Sequence, residues 1–164
     1  KQPEITDVTG RSIELKNIWS LVRKLSKKYG VMMMSEFPLE FKNHMSAPVA
    51  TPMNVHIRIW MAVIKQANHF VGCDSVGQHL AYAFDGTATV LIGSTYPINT
   101  SFPEADNFDI IDLGLDERVY SPIRITSDEF SDRLNEGIMA MDDQKEDSII
   151  RSVEKMLKHS KNKQ

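Results

Sequence analysis

Short apolar runs at Val31 to Met34, Phe70 to Cys73 and Ala88 to Ile92 are separated by stretches long enough and periodic enough to hold helices. Runs of this length are strand-sized, and apolar character at consecutive rather than alternate positions fits burial on both faces. A strand that alternates with helices reaches a parallel neighbour through a crossover, so the pattern predicts βαβ units, a parallel sheet and an α/β fold.

The helices announce themselves by spacing. Ile18, Leu21, Val22, Leu25 and Tyr29 recur at helical intervals between Ser12, a good cap, and Gly30, a natural stop. Pro38, Pro48 and Pro52 punctuate a polar connection, after which Asn54 is placed to cap a helix bearing Ile57, Trp60, Met61 and Ile64. Trp19 and Trp60 lie on these apolar stripes and are expected in the core, as is the Met32 to Met34 run. A compact helix is predicted from Ser75 to Phe84, an edge strand at Asp109 to Leu113, and a short helix from Ser127 to Glu136 stopped by Gly137. Asp142 then opens an amphipathic helix with Ile149, Ile150, Val153, Met156 and Leu157 on one stripe and acids in its first turns. The expected division is a sheet domain over residues 1–126 and a helical extension over 127–164.

Several function classes are excluded by bulk properties. The 19 basic and 22 acidic side chains leave a net charge of −3, so no global positive field draws the chain to nucleic acid. Cys73 is the sole cysteine and forms no internal disulfide, which points to a reducing compartment. No apolar run approaches the roughly 18 residues that span a bilayer, and no signal peptide is visible. A cytoplasmic place of action, the inner membrane surface included, is expected.

The chemistry concentrates in "VGCDSVGQHLAYAF", residues 71–84. A strand ending at Cys73, then Asp74 and Ser75, then a helix, presents backbone N–H groups at the positive end of a helix dipole, which suits a phosphate. Gly77 would let an anion approach the first turn, and His79 lies about one turn in, where it can donate to an oxygen. The plainer alternative is that Asp74 and Ser75 only cap the helix. From Gly72 the spacing matches a P-loop, but Gln78 and His79 stand where Lys and Ser or Thr belong. A nucleophile elbow at Ser75 would need glycine where Cys73 stands. His44, His56, His69 and His79 form no metal-ligand spacing, so no metal is expected. A second polar loop, "GSTYP" from Gly93 to Pro97, ends the next strand, so hydroxyls and N–H groups gather at neighbouring strand ends, where open α/β sheets bind ligands.

The stretch "ANHFVGCDSVGQHLAYAFDGTATVLIGSTYP" resembles the motif region of glycosyltransferase family 9, the heptosyltransferases of lipopolysaccharide assembly: a strand, D-[ST]-G-x-x-H, an Ala-rich helix, then a strand with G-x-T-x-P. The resemblance covers roughly residues 9–103. It implies a Rossmann-like parallel sheet flanked by helices, the C-terminal, sugar-nucleotide-binding half of a GT-B fold. It further implies that Asp74, Ser75, Gly77, His79 and Thr95 surround a donor diphosphate, with Val76 departing from the family's glycine. By the same resemblance a phosphate-contacting cation falls near Arg11, with Lys16 a weaker candidate, and a ribose-binding acid falls near Glu40.

The implied reaction is direct displacement at the anomeric carbon of a nucleoside-diphosphate sugar, without cofactor or metal, with helix N-termini and Arg11 stabilising the departing diphosphate. No catalytic base is assigned within the chain, because the family places it, with the glycan acceptor site, in an N-terminal domain. The first strand of the nucleotide domain is likewise expected from upstream residues or a partner chain. The C-terminal helix is expected to pack across the cleft between domains. The alternatives are a non-catalytic Rossmann-like binding module and a Ser75-based hydrolase.

Overall fold

The computed structural model of the chain describes residues 10–34, 49–50, 55–120 and 135–161. Its centre is a three-stranded parallel sheet of β3 (Phe70–Cys73), β4 (Ala88–Ile92) and β5 (Phe108–Asp112), in that order, with Phe70 beside Ala88 and Ala88 beside Phe108. A second parallel pairing joins β1 (Val31–Met32) to β2 (Val49–Ala50), and among the described residues no ladder links β1 to β3. The helices are α1 (Leu15–Leu25), α2 (Ile57–Gln66), α3 (Val76–Ala83), the single turn α4 (Pro97–Thr100) and α5 (Asp143–Lys161). The predicted α/β class and parallel sheet are thus present.

Every residue of β4 is buried, as its unbroken apolar run requires. Strand alternation then splits the core into two layers. Leu91 points to one face, with Leu21 of α1, Leu113, Ile138, Met139 and Ile149 of α5. Ala88, Val90 and Ile92 point to the other, with Ile64 of α2, Ala81 of α3 and Phe108. Each buried Leu, Ile, Val, Met or Phe side chain among these contributes about 1.5–3 kcal/mol by leaving water.

Helix α5 is part of this core and packs on β4 and β5. Asp142 caps it, accepting from the Lys145 N–H at 2.8 Å, and Ile149, Val153 and Met156 form its buried stripe. The buried Glu146 carboxylate fastens it to α1, accepting from Asn17 Nδ2 at 3.2 Å, Ser20 Oγ at 2.6 Å and Lys24 Nζ at 3.0 Å. Burial pushes the Glu146 carboxyl up, but these donors outweigh it and hold the group below the ordinary carboxylate range.

His69, to which the sequence assigned no role, links the opposite end of the sheet to α5. Its Nδ1 and Nε2 lie 2.9 Å from Thr87 Oγ1 and 2.9 Å from Thr89 Oγ1, and Thr89 Oγ1 is 2.7 Å from Ser152 Oγ on α5. The Thr87 hydroxyl already donates to the Asn68 carbonyl at 3.0 Å, so it accepts from Nδ1–H, leaving Nε2 to accept from Thr89. Burial lowers the His69 pKa to about 4, against a smaller upward pull from Asp109, so the ring is neutral near pH 7.

The helix boundaries and several core assignments differ from those predicted. Helix α1 begins after Glu14 rather than Ser12 and ends at Leu25, with Ser26 continuing as its C-cap. Strand β1 stops at Met32, which is half-exposed, while Met34 packs on the α2–α3 layer. The N-cap of α2 is His56, whose Nδ1 accepts from the Arg58 N–H at 3.2 Å; Asn54 lies outside the described residues. Ile57 is 47% exposed, and Ile64, in the last turn of α2, is that helix's one buried residue, in the layer with Ala81 and Val90. Trp19 and Trp60 are half-buried rather than fully buried in the core. The predicted helix at Ser127 to Glu136 falls almost wholly outside the described residues.

Candidate functional site

Helix α3 meets the sheet through two glycines and one ring. A Cβ placed on Gly72 would lie 2.5 Å from Phe70 Cζ, and one on Gly77 would also lie 2.5 Å from that atom. The G-x-x-x-x-G spacing therefore accommodates the Phe70 ring between strand and helix, which accounts for Gly77 without a ligand. With Phe70 seated, the first turn of α3 is brought directly over the carboxyl end of β3.

At that end Asp74 is the hub. Its side chain is only 7% exposed. One oxygen accepts from Gln78 Nε2 at 2.9 Å; the other accepts from Thr95 Oγ1 at 3.0 Å and from Arg11 at 3.2 Å. The three donors belong to three separate segments: α3, the loop after β4, and the chain entering α1. That entering chain is held in place at Gly10, whose carbonyl accepts from the Ser94 N–H at 2.9 Å, whose φ of +64° favours glycine, and whose Cβ, if present, would lie 2.6 Å from the Asn135 carbonyl oxygen. Arg11 remains about half exposed, so its guanidinium faces both Asp74 and solvent.

Three of the sequence-predicted residues, Arg11, Asp74 and Thr95, are thus brought together from positions up to 84 residues apart. Ser75 sits beside them as the N-cap of α3, with an extended φ of −157° and no side-chain bond to the helix N–H groups. That backbone is relaxed, unlike the strained turn of a nucleophile elbow. Gly77 lies in the same turn, buried against Phe70. His79 departs from the expected arrangement: its ring meets Phe102 edge-on at 5.5 Å, on the side of α3 where Tyr82 stacks on Phe102 at 3.8 Å. Lys16 is exposed and pairs with Glu14 at 2.6 Å. Glu40 lies outside the described residues.

Two residues absent from the predicted set complete the strand ends. Gln78 is wholly buried; its spacing from Ala81 places it on the sheet-facing stripe of α3, where a polar group must find partners. Arg118, itself only 4% exposed, donates from Nε to the Gly93 carbonyl at 2.7 Å, pairs with Asp112 and lies 4.7 Å from the centre of the Tyr96 ring. It clamps the ends of β4 and β5 together, and nothing in its local sequence signals this.

Asp74 and Asp112, the carboxylates at the strand ends, are each held by an arginine. Among the described residues no group of three or more His, Cys, Asp and Glu side chains is arranged to hold a metal, and no helix is long and apolar enough to cross a membrane. Compared with known proteins, the chain matches no family model, no curated protein and no solved structure.

Proposed function

We propose that this chain is the donor-binding part of a glycosyltransferase resembling the heptosyltransferases, which takes a nucleoside-diphosphate sugar at the carboxyl ends of β3 and β4. The observation that carries the reading is the convergence of Arg11, Asp74 and Thr95 around the first turn of α3. Open parallel sheets bind ligands at this edge. A diphosphate here would meet the first N–H groups of α3, the Thr95 hydroxyl and a cation, and as a leaving group it would be stabilised by the same contacts.

Strand order supports the Rossmann-like part of the reading. A doubly wound sheet of order 3-2-1-4-5-6 contains a parallel 3-2 pair and a parallel 4-5-6 set, separated by one strand. The pairings β2–β1 and β3–β4–β5 fit these two sets. A separate acceptor domain supplies the carboxylate base for the glycan or lipopolysaccharide-type acceptor.

One observation favours a second reading, a non-catalytic Rossmann-like module with a changed ligand: Val76, 48% exposed, stands where the family has glycine. Calorimetry with ADP, UDP and GDP separates the two. Saturable binding of one of them is expected; no binding by any at millimolar concentration would favour the non-catalytic module.

A further inference from the structure

The side chain of Gln78 has no solvent exposure and makes three hydrogen bonds. Its amide nitrogen donates to Asp74 Oδ1 at 2.9 Å and to the Thr100 carbonyl at 2.8 Å, and its amide oxygen accepts from the Ser101 hydroxyl at 2.7 Å. A carboxylate and a carbonyl only accept, so the carboxamide fits one way round; turned over, its oxygen would face two other oxygens. Asp74 terminates β3, whereas Thr100 and Ser101 close α4 after β4. The Thr100 hydroxyl shares its one proton between the Tyr96 carbonyl at 3.3 Å and Thr95 Oγ1 at 3.4 Å, and Thr95 donates to Asp74. A ring of contacts therefore runs from Asp74 through Gln78 to the end of α4 and back through Thr95, its weakest member the shared Thr100 proton.

We infer that Gln78 is the positioning residue of the anion site proposed above: it ties the two strand ends into one surface and leaves Asp74 satisfied when Arg11 turns to a ligand oxygen. Two neutral donors, Gln78 and Thr95, remain on the Asp74 carboxylate after the guanidinium has moved, so giving up Arg11 does not leave a buried charge without a partner. The ligand half of this inference rests on the proposed function; the tether between strand ends does not.

Gln78→Glu and Gln78→Met test both halves in the full chain. In Gln78→Glu a carboxylate faces Asp74 and the Thr100 carbonyl, and protonation of the new acid restores one donor, whereas Gln78→Met removes the bonds without adding a titrating group. At pH 7.5, amide hydrogen exchange over residues 94–101 is expected to accelerate at least tenfold in both variants. Calorimetric affinity for inorganic pyrophosphate is expected to weaken at least tenfold relative to wild type. At pH 5 the Gln78→Glu deficits shrink relative to wild type at the same pH, while those of Gln78→Met do not. Unchanged exchange over 94–101, or a Gln78→Glu deficit that ignores pH, would overturn the inference. If the wild type binds no pyrophosphate, the ligand half falls with the proposed function, and the exchange result still decides the tether. Should Gln78→Glu fail to fold, Ser101→Ala removes one bond of the ring and is expected to raise exchange severalfold; unchanged exchange there would count against the tether.

Discussion

Replacing Gly77 by alanine separates a packing role for this glycine from a ligand role. The added Cβ would lie 2.5 Å from Phe70 Cζ and 2.6 Å from Cε2, where ordinary contact begins near 3.4 Å, so the ring must retreat by about 1 Å. The ring packs against the layer formed by Ile64, Ala81 and Val90, which leaves it little room. Overpacking of this kind costs about 1–3 kcal/mol. Alanine's better helix propensity returns at most about 1 kcal/mol, and less in a first turn. A net loss of about 1–2 kcal/mol is expected, read by urea denaturation at pH 7.5, with Tm falling by about 2–4 °C per kcal/mol. Because Gly72 and Gly77 press on the same ring atom, the losses of Gly72→Ala and Gly77→Ala should be less than additive. Phe70→Leu should absorb much of either loss, with a coupling of about 1 kcal/mol. A neutral or stabilising Gly77→Ala, or strictly additive losses in the double variant, would refute the shared-ring argument.

Further predictions follow from the charge and backbone chemistry. His69 is held neutral with its pKa near 4 against an ordinary 6.5, so its stabilising contribution is present above pH 6.5 and declines as pH falls toward 4, by roughly 3 kcal/mol in all; denaturation midpoints at pH 7.5 and 4.5 should show this loss, and His69→Gln should flatten it. Glu146→Ala leaves the Asn17, Ser20 and Lys24 donors without their acceptor and should cost about 2–3 kcal/mol by urea denaturation, against about 1 kcal/mol or less for exposed Asp147→Ala. Asp85 ends α3 at a φ of 54° with the Gly86 N–H returning to the Ala81 carbonyl at 2.8 Å, a cap that favours glycine, so Asp85→Gly should raise stability by about 0.5–1 kcal/mol in the same assay.

The fold was most legible where one residue pattern admits one structure. Phe70–Cys73 and Ala88–Ile92 form strands at the predicted bounds, because unbroken apolar runs between turn residues leave little choice. Boundaries failed where tertiary packing decided them. Ser12 is a good cap by type, but the chain there is held to β4 through Gly10, which delays α1 to Leu15. The Trp residues misled because apolar spacing marks a helical face without saying how far the neighbouring layer extends. In the site, Asp74 and Thr95 were recoverable from strand-end logic and Arg11 from the family resemblance. Gln78 and Arg118 were not recoverable, since their partners are backbone carbonyls and acids brought close only by the sheet register.

The central claim is that a phosphate-bearing ligand sits between the turn after β3 and the loop after β4. Amide chemical-shift mapping of the isotope-labelled chain during titration with inorganic pyrophosphate, ADP, UDP and GDP tests it residue by residue. The account predicts saturable shifts at Ser75, Val76, Gly77, Ser94 and Thr95 together with the Arg11 side chain, weakened at least tenfold in Arg11→Ala. Shifts confined to other surfaces, or none at millimolar ligand, would contradict it.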